Sequence, residues 1–154
     1  MKIKVAFYKG KGTWKNSLIR WWTKSLHSHA ELVLPDGRWV SISPFLTSTV
    51  STRTNEDYDK ENWDFLELPA TQFQMDVIDE FYESTKGCKY DWAGMFLSQF
   101  LPYHIKRKGK WYCSEWIAYA LRISCVVDWR LIKIYDRADL SPAVLHEIII
   151  HSQK

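Results

Sequence analysis

Residues 110–121 read KWYCSEWIAYAL, so a cysteine stands directly before a run of apolar residues with helical spacing. The apolar positions from Ile117 to Leu121 predict a buried helix with Cys113 in its first turn. A thiol there is close to the positive end of the helix dipole and to unpaired backbone N–H groups. Both stabilise the thiolate and can lower the thiol pKa from about 8.5 into the neutral range. The stretch is typical of a nucleophilic cysteine, although free cysteines are also common as small buried residues.

A candidate partner for the thiol lies upstream, where residues 28–44 read SHAELVLPDGRWVSISP. The Pro-Asp-Gly turn between two apolar runs predicts a β-hairpin. If its first strand spans residues 28–34, then His27, His29 and Glu31 share one face of that strand. An imidazole at a strand end, a polar acceptor on the neighbouring strand and a cysteine at a helix start are the parts of a Cys-His-polar triad.

The order of these pieces resembles the circularly permuted branch of the NlpC-type, papain-like cysteine hydrolases, which includes YiiX-like proteins and relatives of lecithin retinol acyltransferase. The matching pieces span most of the chain and are Ser28–Val33, Asp36–Gly37, Val40–Pro44, Tyr90–Gly94 and Tyr112–Glu115. The resemblance implies a papain-like α+β fold, in which a small antiparallel sheet packs against the helix of the nucleophile.

The resemblance also implies roles for single residues. Cys113 would be the nucleophile, and the family pattern, with its histidine directly before the apolar strand, selects His29 rather than His27 as the base. Two candidates for the third member stay open. Ser41 stands where the acyltransferase-like relatives carry a histidine, but a hydroxyl cannot offset the charge of an imidazolium. Glu31 could supply that charge, or it could be a solvated carboxylate of the strand.

A tyrosine completes the set of candidate site residues. The segment Gly87–Gly94 resembles the Tyr-x-Trp-Gly-Gly stretch that precedes the nucleophile in ordinary NlpC-type enzymes. In those enzymes the tyrosine hydroxyl helps to stabilise the oxyanion, which implies this role for Tyr90. Residues 95–110 separate Tyr90 from Cys113 by more than the usual distance in the chain.

The implied function is a cysteine hydrolase that transfers an acyl group to water. Family members act on amide bonds of cell-wall peptides or on lipid acyl groups, so a lipid-directed acyl hydrolase or acyltransferase is an alternative. A third interpretation is a non-catalytic binding protein that acts on a host partner, and serine at position 41 favours it. Residues 6–10 and 21–25 also resemble phage-encoded members of the branch.

Composition limits the remaining function classes. A chain of 154 residues with 46% hydrophobic residues predicts one domain over residues 1–154. A net charge of +3 gives no basis for a nucleic-acid partner. Three cysteines without a Cys-x-x-Cys pair favour a reducing compartment and argue against a structural zinc site. We expect neither a metal nor a cofactor.

Two further features concern location and partners. The N-terminal residues form neither a secretory apolar region nor a membrane-spanning segment, which predicts a cytoplasmic protein, in the host cytoplasm or the virion if phage-encoded. The basic run Lys106–Lys110 precedes the candidate nucleophile and could attract an anionic substrate or partner, although such runs are commonly solvated turns.

Periodicity and capping signals predict the rest of the scaffold. In one helix Phe73, Val77, Ile78 and Phe81 form the apolar stripe, and in the next Trp92 belongs to the core. The predicted elements are strands at 2–8, 63–68 and 131–135, and helices from Asn16 or Ser17 to Ser25, from Thr71 to Gly87, from Asp91 to Leu101 and from Ser141 to Ile150.

Overall fold

A computed structural model of the chain describes residues 1–10, 26–43, 47–54, 58–98, 108–128, 130–132 and 140–153. The described strands are β1 (Lys2–Tyr8), β2 (His29–Val33), β3 (Trp39–Ser43), β4 (Thr47–Arg53), β5 (Trp63–Pro69), β6 (Lys89–Tyr90) and β7 (Lys110–Trp111). The described helices are α1 (Gln72–Thr85), α2 (Trp92–Ser98), α3 (Cys113–Ile123) and α4 (Pro142–Ser152), with a 3-10 turn at Lys60–Asn62.

The seven strands form one sheet in the order β5-β1-β2-β3-β4-β6-β7. Every neighbouring pair is antiparallel except β6 and β7, which run parallel. The predicted α+β class is therefore confirmed. The sheet is larger than the small sheet we expected, because β4 continues from β3 and carries β6 and β7 at its far side.

The predicted hairpin of β2 and β3 is present and ends at a tight turn. Gly37 has φ of 87°, a left-handed conformation that glycine adopts without a steric cost. The backbone N–H of Gly37 donates to Leu34 O at 3.0 Å, and Asp36 Oδ1 accepts from the N–H of Arg38 at 3.0 Å. The strand begins at His29, one residue later than predicted.

One face of the sheet carries the aliphatic core, onto which α3 packs across β2 and β3. Side chains of alternate strand residues point to that face, as the period of two in a strand requires. They are Ile3, Val5 and Phe7 of β1, Ala30 and Leu32 of β2, and Val40 and Ile42 of β3. Helix α3 is therefore held against the centre of the sheet by apolar burial on its inner side.

Helix α1 contacts α3, where Phe81 stacks on Trp116, and also reaches β4, where Tyr82 Oη lies 3.4 Å from Thr52 Oγ1. It confirms the predicted caps. The described helix runs from Gln72 to Thr85, between the N-cap residue Thr71 and Gly87, which has φ of 79°. Its apolar stripe differs from the prediction, because Phe73 is 74% exposed whereas Met75 is buried.

Several other predicted elements differ from the structure or lie outside the described residues. Trp92 is 41% exposed and does not belong to the core. Residues 131 and 132, predicted as part of a strand, lie in a helical turn at 130–132, since the Leu131 N–H donates to Asp128 O instead of to a strand. Residues 133–135, the predicted helix ending at Ser25 and the end of the Asp91 helix beyond residue 98 lie outside the described residues.

The final helix is capped as predicted, with Ser141 Oγ accepting from the N–H of Val144 at 3.4 Å and Pro142 in the first turn. Across the described part of the chain, no helix combines the length and apolar character needed to cross a membrane.

The capping box of α1 gives a testable stability prediction. Thr71 Oγ1 accepts from the N–H of Gln74 at 3.3 Å, and Gln74 Oε1 accepts from the N–H of Thr71 at 2.9 Å. Thr71→Ala leaves the backbone N–H of Gln74 without its acceptor, so the free energy of unfolding in urea should fall by about 1 kcal/mol. Glu80→Ala, on the exposed side of the same helix, should change it by less than about 0.5 kcal/mol. Equal losses in both variants would contradict the capping role.

Candidate active site

Cys113 is the first residue of α3 and follows the N-cap residue Tyr112, whose backbone is extended with φ of −117°. Because Tyr112 offers no side-chain cap, the first N–H groups of the helix stay directed at the region of the thiol. Next to the thiol, Ser114 is buried and its Oγ donates to Leu140 O, which ties the helix start to the chain before α4. The nucleophile candidate therefore sits on an anchored helix end.

His29 opens β2 and meets Cys113 where the strand approaches the start of α3. The Cys113 residue is 7% exposed, and the His29 side chain is 14% exposed. Burial lowers the pKa of His29, but the charge of the Cys113 thiolate, its hydrogen bond to the imidazole and the Glu31 carboxylate outweigh burial. The pKa of His29 is raised from 6.5 to about 10. At neutral pH the imidazole is therefore protonated.

The pKa of the Cys113 thiol is shifted in the opposite direction, downward. Burial raises the pKa of Cys113, but the charge of His29 and a hydrogen bond to His29 outweigh that effect. Backbone N–H groups of Ala30 and Ser114 also donate toward the sulfur, and the net pKa is lower than that of an ordinary thiol. The shifts in the pKa of Cys113 and of His29 both favour the thiolate–imidazolium form of the pair.

The N–H of Ala30 reaches the sulfur because β2 and β3 do not pair along their whole length. Their pairing covers Leu32 with Val40 and Val33 with Trp39. At the other end of β2, the backbone donor of Ala30 faces Cys113 instead of β3. The start of α3 thus occupies the open end of the hairpin.

Glu31 binds the second nitrogen of the imidazole. Its Oε1 lies 3.1 Å from His29 Nε2, and the residue is 0% exposed. Because Glu31 takes Nε2, Nδ1 is the ring nitrogen left to face Cys113. Burial raises the pKa of Glu31, but His29 and then Arg53 outweigh it and hold the carboxyl pKa below its usual value. Glu31 is therefore an ionised buried carboxylate rather than a solvated one.

Ser41, the other candidate for the third position, is buried in β3 and pairs in register with Ser51 of β4. Among the hydrogen bonds of the described residues, none joins Ser41 to His29. The structure thus brings together Cys113, His29 and Glu31 and leaves Ser41 outside this chain of contacts.

Tyr90 is buried in β6 and lies close enough to Cys113 for the thiolate charge to affect it. Burial, followed by the charges of Cys113 and Tyr112, raises the pKa of Tyr90 well above 10, so its hydroxyl stays protonated. That hydroxyl donates to Met95 Sδ at 2.9 Å, and a thioether is a weak acceptor. Tyr90 is therefore a hydrogen-bond donor near the sulfur.

His27 does not share the face of His29, contrary to the prediction. Its Nε2 lies 2.9 Å from Asp64 Oδ2, and its ring packs against Phe7 at 5.3 Å between centroids. Since His29 pairs with Tyr8, and Phe7 and Tyr8 point to opposite faces of β1, the two histidines also lie on opposite sides. The reason is that the strand begins only at His29, after the Ser28 N–H has bonded to Tyr8 O.

Comparison of the chain with protein-family models, with curated proteins and with solved structures gave no match. The side chains around Cys113 are therefore the basis for inferring the function.

One member of the cluster was missed from the sequence. Arg53 Nη2 donates to Glu31 Oε1 at 2.7 Å, and its guanidinium lies 5.5 Å from the ring centroid of Trp39. The available signal was the β-branched Thr and Val residues between positions 47 and 52, which favour a strand. The pairing of that strand with β3 brings Arg53 into register with Trp39. That pairing joins two segments of a Ser/Thr-rich stretch with no apolar periodicity, so local pattern did not reveal it.

Two further expectations concern ions. Within the described ranges, no group of three or more His, Cys, Asp or Glu side chains is arranged to hold a metal ion. Of the basic run, Lys108 and Gly109 form a turn and Lys110 begins β7, while Lys106 and Arg107 lie outside the described residues.

Proposed function

We propose that this protein is a cysteine hydrolase of the permuted NlpC-type, papain-like class. The observation that carries the proposal is the meeting of Cys113 with His29, which are 84 positions apart in the chain, while Glu31 holds the other imidazole nitrogen at 3.1 Å. Apolar packing alone does not require a thiol, an imidazole and an ionised carboxylate in series. A nucleophile, its acid–base partner and an orienting group do require that order.

In the acylation step, the Cys113 thiolate attacks the carbonyl carbon of the substrate and forms a C–S bond. The developing oxyanion accepts hydrogen bonds from the Cys113 backbone N–H and from Tyr90. The His29 imidazolium then gives its proton to the leaving nitrogen or oxygen as the bond to the carbonyl carbon breaks. The product is an acyl-enzyme with a thioester bond and a neutral imidazole.

In the deacylation step, neutral His29 takes a proton from water, whose oxygen attacks the thioester carbonyl. Collapse of the tetrahedral intermediate releases the carboxylic acid and returns the thiolate–imidazolium pair. Glu31 keeps the imidazole in one orientation and offsets its positive charge through both steps. This role is one that the hydroxyl of Ser41 cannot fill.

For the substrate, we propose amide bonds of peptides, with cell-wall peptides as the first class to test. The resemblance to NlpC-type enzymes supports this choice, and the lipid-acting relatives define the second class. Both classes present a carbonyl carbon to the same thiolate, so one experiment distinguishes them.

The test is an intact-mass measurement of the purified protein after incubation with peptidoglycan fragments and, separately, with phosphatidylcholine vesicles. Mild acid quench preserves a thioester, and we expect a mass increase equal to the acyl portion of one probe. The increase should be absent in Cys113→Ala and present in Cys88→Ala and Cys125→Ala, the two other cysteines, which are also free thiols.

Each outcome of this test has a definite meaning. An adduct with peptide fragments supports the amidase, and an adduct with the phospholipid corrects the substrate class. An adduct that persists in Cys113→Ala contradicts the assignment of the nucleophile. No adduct and no released acyl product with either probe contradicts the proposed hydrolase and favours a protein that binds without catalysis.

A further inference from the structure

We infer that Arg53 is a positioning residue, which holds Glu31 ionised and aimed at His29 and thereby maintains the charged form of the Cys113–His29 pair. This inference rests on the proposed function, because it assigns Arg53 a role in the same site. Arg53 lies in β4, on a different strand from both His29 and Glu31.

The contacts of Arg53 explain how it acts on the carboxylate. Arg53 Nη2 donates to Glu31 Oε1 at 2.7 Å, and the same oxygen lies 3.1 Å from His29 Nε2. Trp39 supports the guanidinium, which lies 5.5 Å from the centroid of its ring. Because Trp39 and Arg53 are paired in register across β3 and β4, the backbone fixes this stacking. Glu31 Oε1 therefore accepts hydrogen bonds from both Arg53 and His29, which lie on two strands of the sheet.

Among the described residues, the partners of the Glu31 carboxylate are His29 and Arg53. Its side chain is fully buried, and neither Glu31 Oε2 nor Arg53 Nε has a hydrogen-bond partner within the part of the chain that the structure describes. A buried carboxylate with so few donors is stable only while cations stay beside it. Arg53 is the cation that does not change charge during catalysis, since guanidinium remains protonated throughout.

The charges of the cluster alternate and cancel. In the thiolate–imidazolium form, from α3 through β2 to β4, they are the Cys113 thiolate, the His29 imidazolium, the Glu31 carboxylate and the Arg53 guanidinium. Without Arg53 the three remaining groups carry a net negative charge in a buried place. That excess is relieved by a proton on the carboxylate or on the thiolate.

Other titratable groups near the cluster lie close to Cys113 rather than to Glu31. Tyr90 of β6, with Tyr112, Asp91 and Glu115 around it, interacts by charge with the region of the thiolate. All of these groups are neutral or negative and none can replace a lost cation beside Glu31. We therefore expect the effect of Arg53 to be visible in the ionisation of Cys113.

The experiment measures the rate of Cys113 alkylation by iodoacetamide from pH 4 to 10 in the full-length protein. Arg53→Met keeps the length of the side chain and removes its charge, and it should raise the midpoint of the profile by about one pH unit. Arg53→Lys should restore most of the shift. Arg122→Met is the matched control, because Arg122 also stacks on an aromatic ring, 5.7 Å from the Tyr119 centroid, whereas the contacts given for Glu31 in the described chain are to His29 and Arg53.

A double-mutant cycle separates this role from general support of the fold. Glu31→Gln alone should raise the midpoint, because the imidazolium loses the carboxylate that stabilises its charge and His29 then supports the thiolate less. In the double variant Glu31→Gln with Arg53→Met, the carboxylate and the guanidinium are both absent, and the charges of the remaining thiolate–imidazolium pair sum to zero. Because Arg53 acts through Glu31, the shift of the double variant should be smaller than the sum of the two single shifts. Circular dichroism at each pH verifies that the compared variants are folded.

The outcomes separate this inference from the proposed function. If wild-type Cys113 is alkylated at low pH and Arg53→Met has the same midpoint, the role of Arg53 is overturned and the proposed hydrolase stands. Additive shifts in the cycle, or a shift that lysine does not reverse, also overturn the inference. If the wild-type thiol itself has an ordinary profile, the proposed function fails first.

Discussion

Replacing His29 by glutamine is expected to slow the alkylation of Cys113 by iodoacetamide at pH 6 about a hundredfold. His29 supplies the charge and the side-chain hydrogen bond that oppose the effect of burial on the thiol. Without them the pKa of Cys113 returns to or above the value of an ordinary thiol, so less than about 1% of the sulfur is ionised at pH 6. The loss in rate is smaller than the loss of thiolate, because a thiolate of higher pKa is intrinsically more nucleophilic.

His27→Gln is the matched control for this prediction. His27 is only two residues away, but it binds Asp64 at 2.9 Å and lies on the other side of the sheet. Its replacement should leave the rate at pH 6 within about twofold, since no contact joins it to the thiol within the described residues. If both variants lose reactivity equally, or if His29→Gln reacts as the wild type does, His29 is not the partner of Cys113.

The second large effect concerns stability, and it should follow from Trp116→Ala. Trp116 lies in α3 one turn after Cys113 and is almost completely buried. Its indole stacks on Phe81 of α1, with 5.2 Å between ring centroids, and Nε1 donates to Thr85 Oγ1 at 2.9 Å. Truncation creates a large cavity and removes this hydrogen bond, so the free energy of unfolding should fall by about 3–5 kcal/mol.

Urea unfolding followed by circular dichroism measures this loss, and Trp92→Ala provides the control. Trp92 is also a helical tryptophan, but it is 41% exposed. Its truncation should cost less than half as much as that of Trp116. Comparable losses in the two variants would mean that the start of α3 is not anchored through Trp116.

Local sequence pattern was sufficient where a signal and the structure it specifies lie close together in the chain. The Asp36-Gly37 turn formed because glycine adopts the positive φ that the hairpin needs. Thr71 and Ser141 began their helices because a hydroxyl pairs with a free N–H of the first turn. Cys113 is the first residue of α3 because the apolar residues with helical spacing begin directly after it.

Local pattern failed where long-range packing chose between two equivalent faces or elements. Phe73 and Met75 are both apolar, and only the direction in which α1 lies on α3 leaves Phe73 in solvent. The apolar residues between 131 and 135 indicated a strand, but residues 131 and 132 lie in a helical turn at 130–132.

In the candidate site, too, local pattern was informative and long-range packing was not predictable. The sequence identified Cys113 and His29 but left Ser41 and Glu31 open, because the choice depends on which side chain faces the imidazole after folding. Arg53 could not be identified at all, since its pairing with Glu31 requires the register of β4 against β3. Local motifs pointed to Cys113 and His29 as candidates, whereas a residue whose contact depends on the alignment of three strands had no local motif.

The most direct test of the central claim is the pH dependence of the alkylation of wild-type Cys113 by iodoacetamide, followed by intact mass. We expect the rate to reach half of its maximum clearly below pH 8.5, the value of an ordinary thiol, because His29 and two backbone N–H groups stabilise the thiolate. Hydrolysis should begin over the same range and decline as the pH approaches about 10, where the imidazolium loses its proton. A midpoint at or above pH 8.5 would contradict a thiolate–imidazolium pair and, with it, the proposed nucleophile.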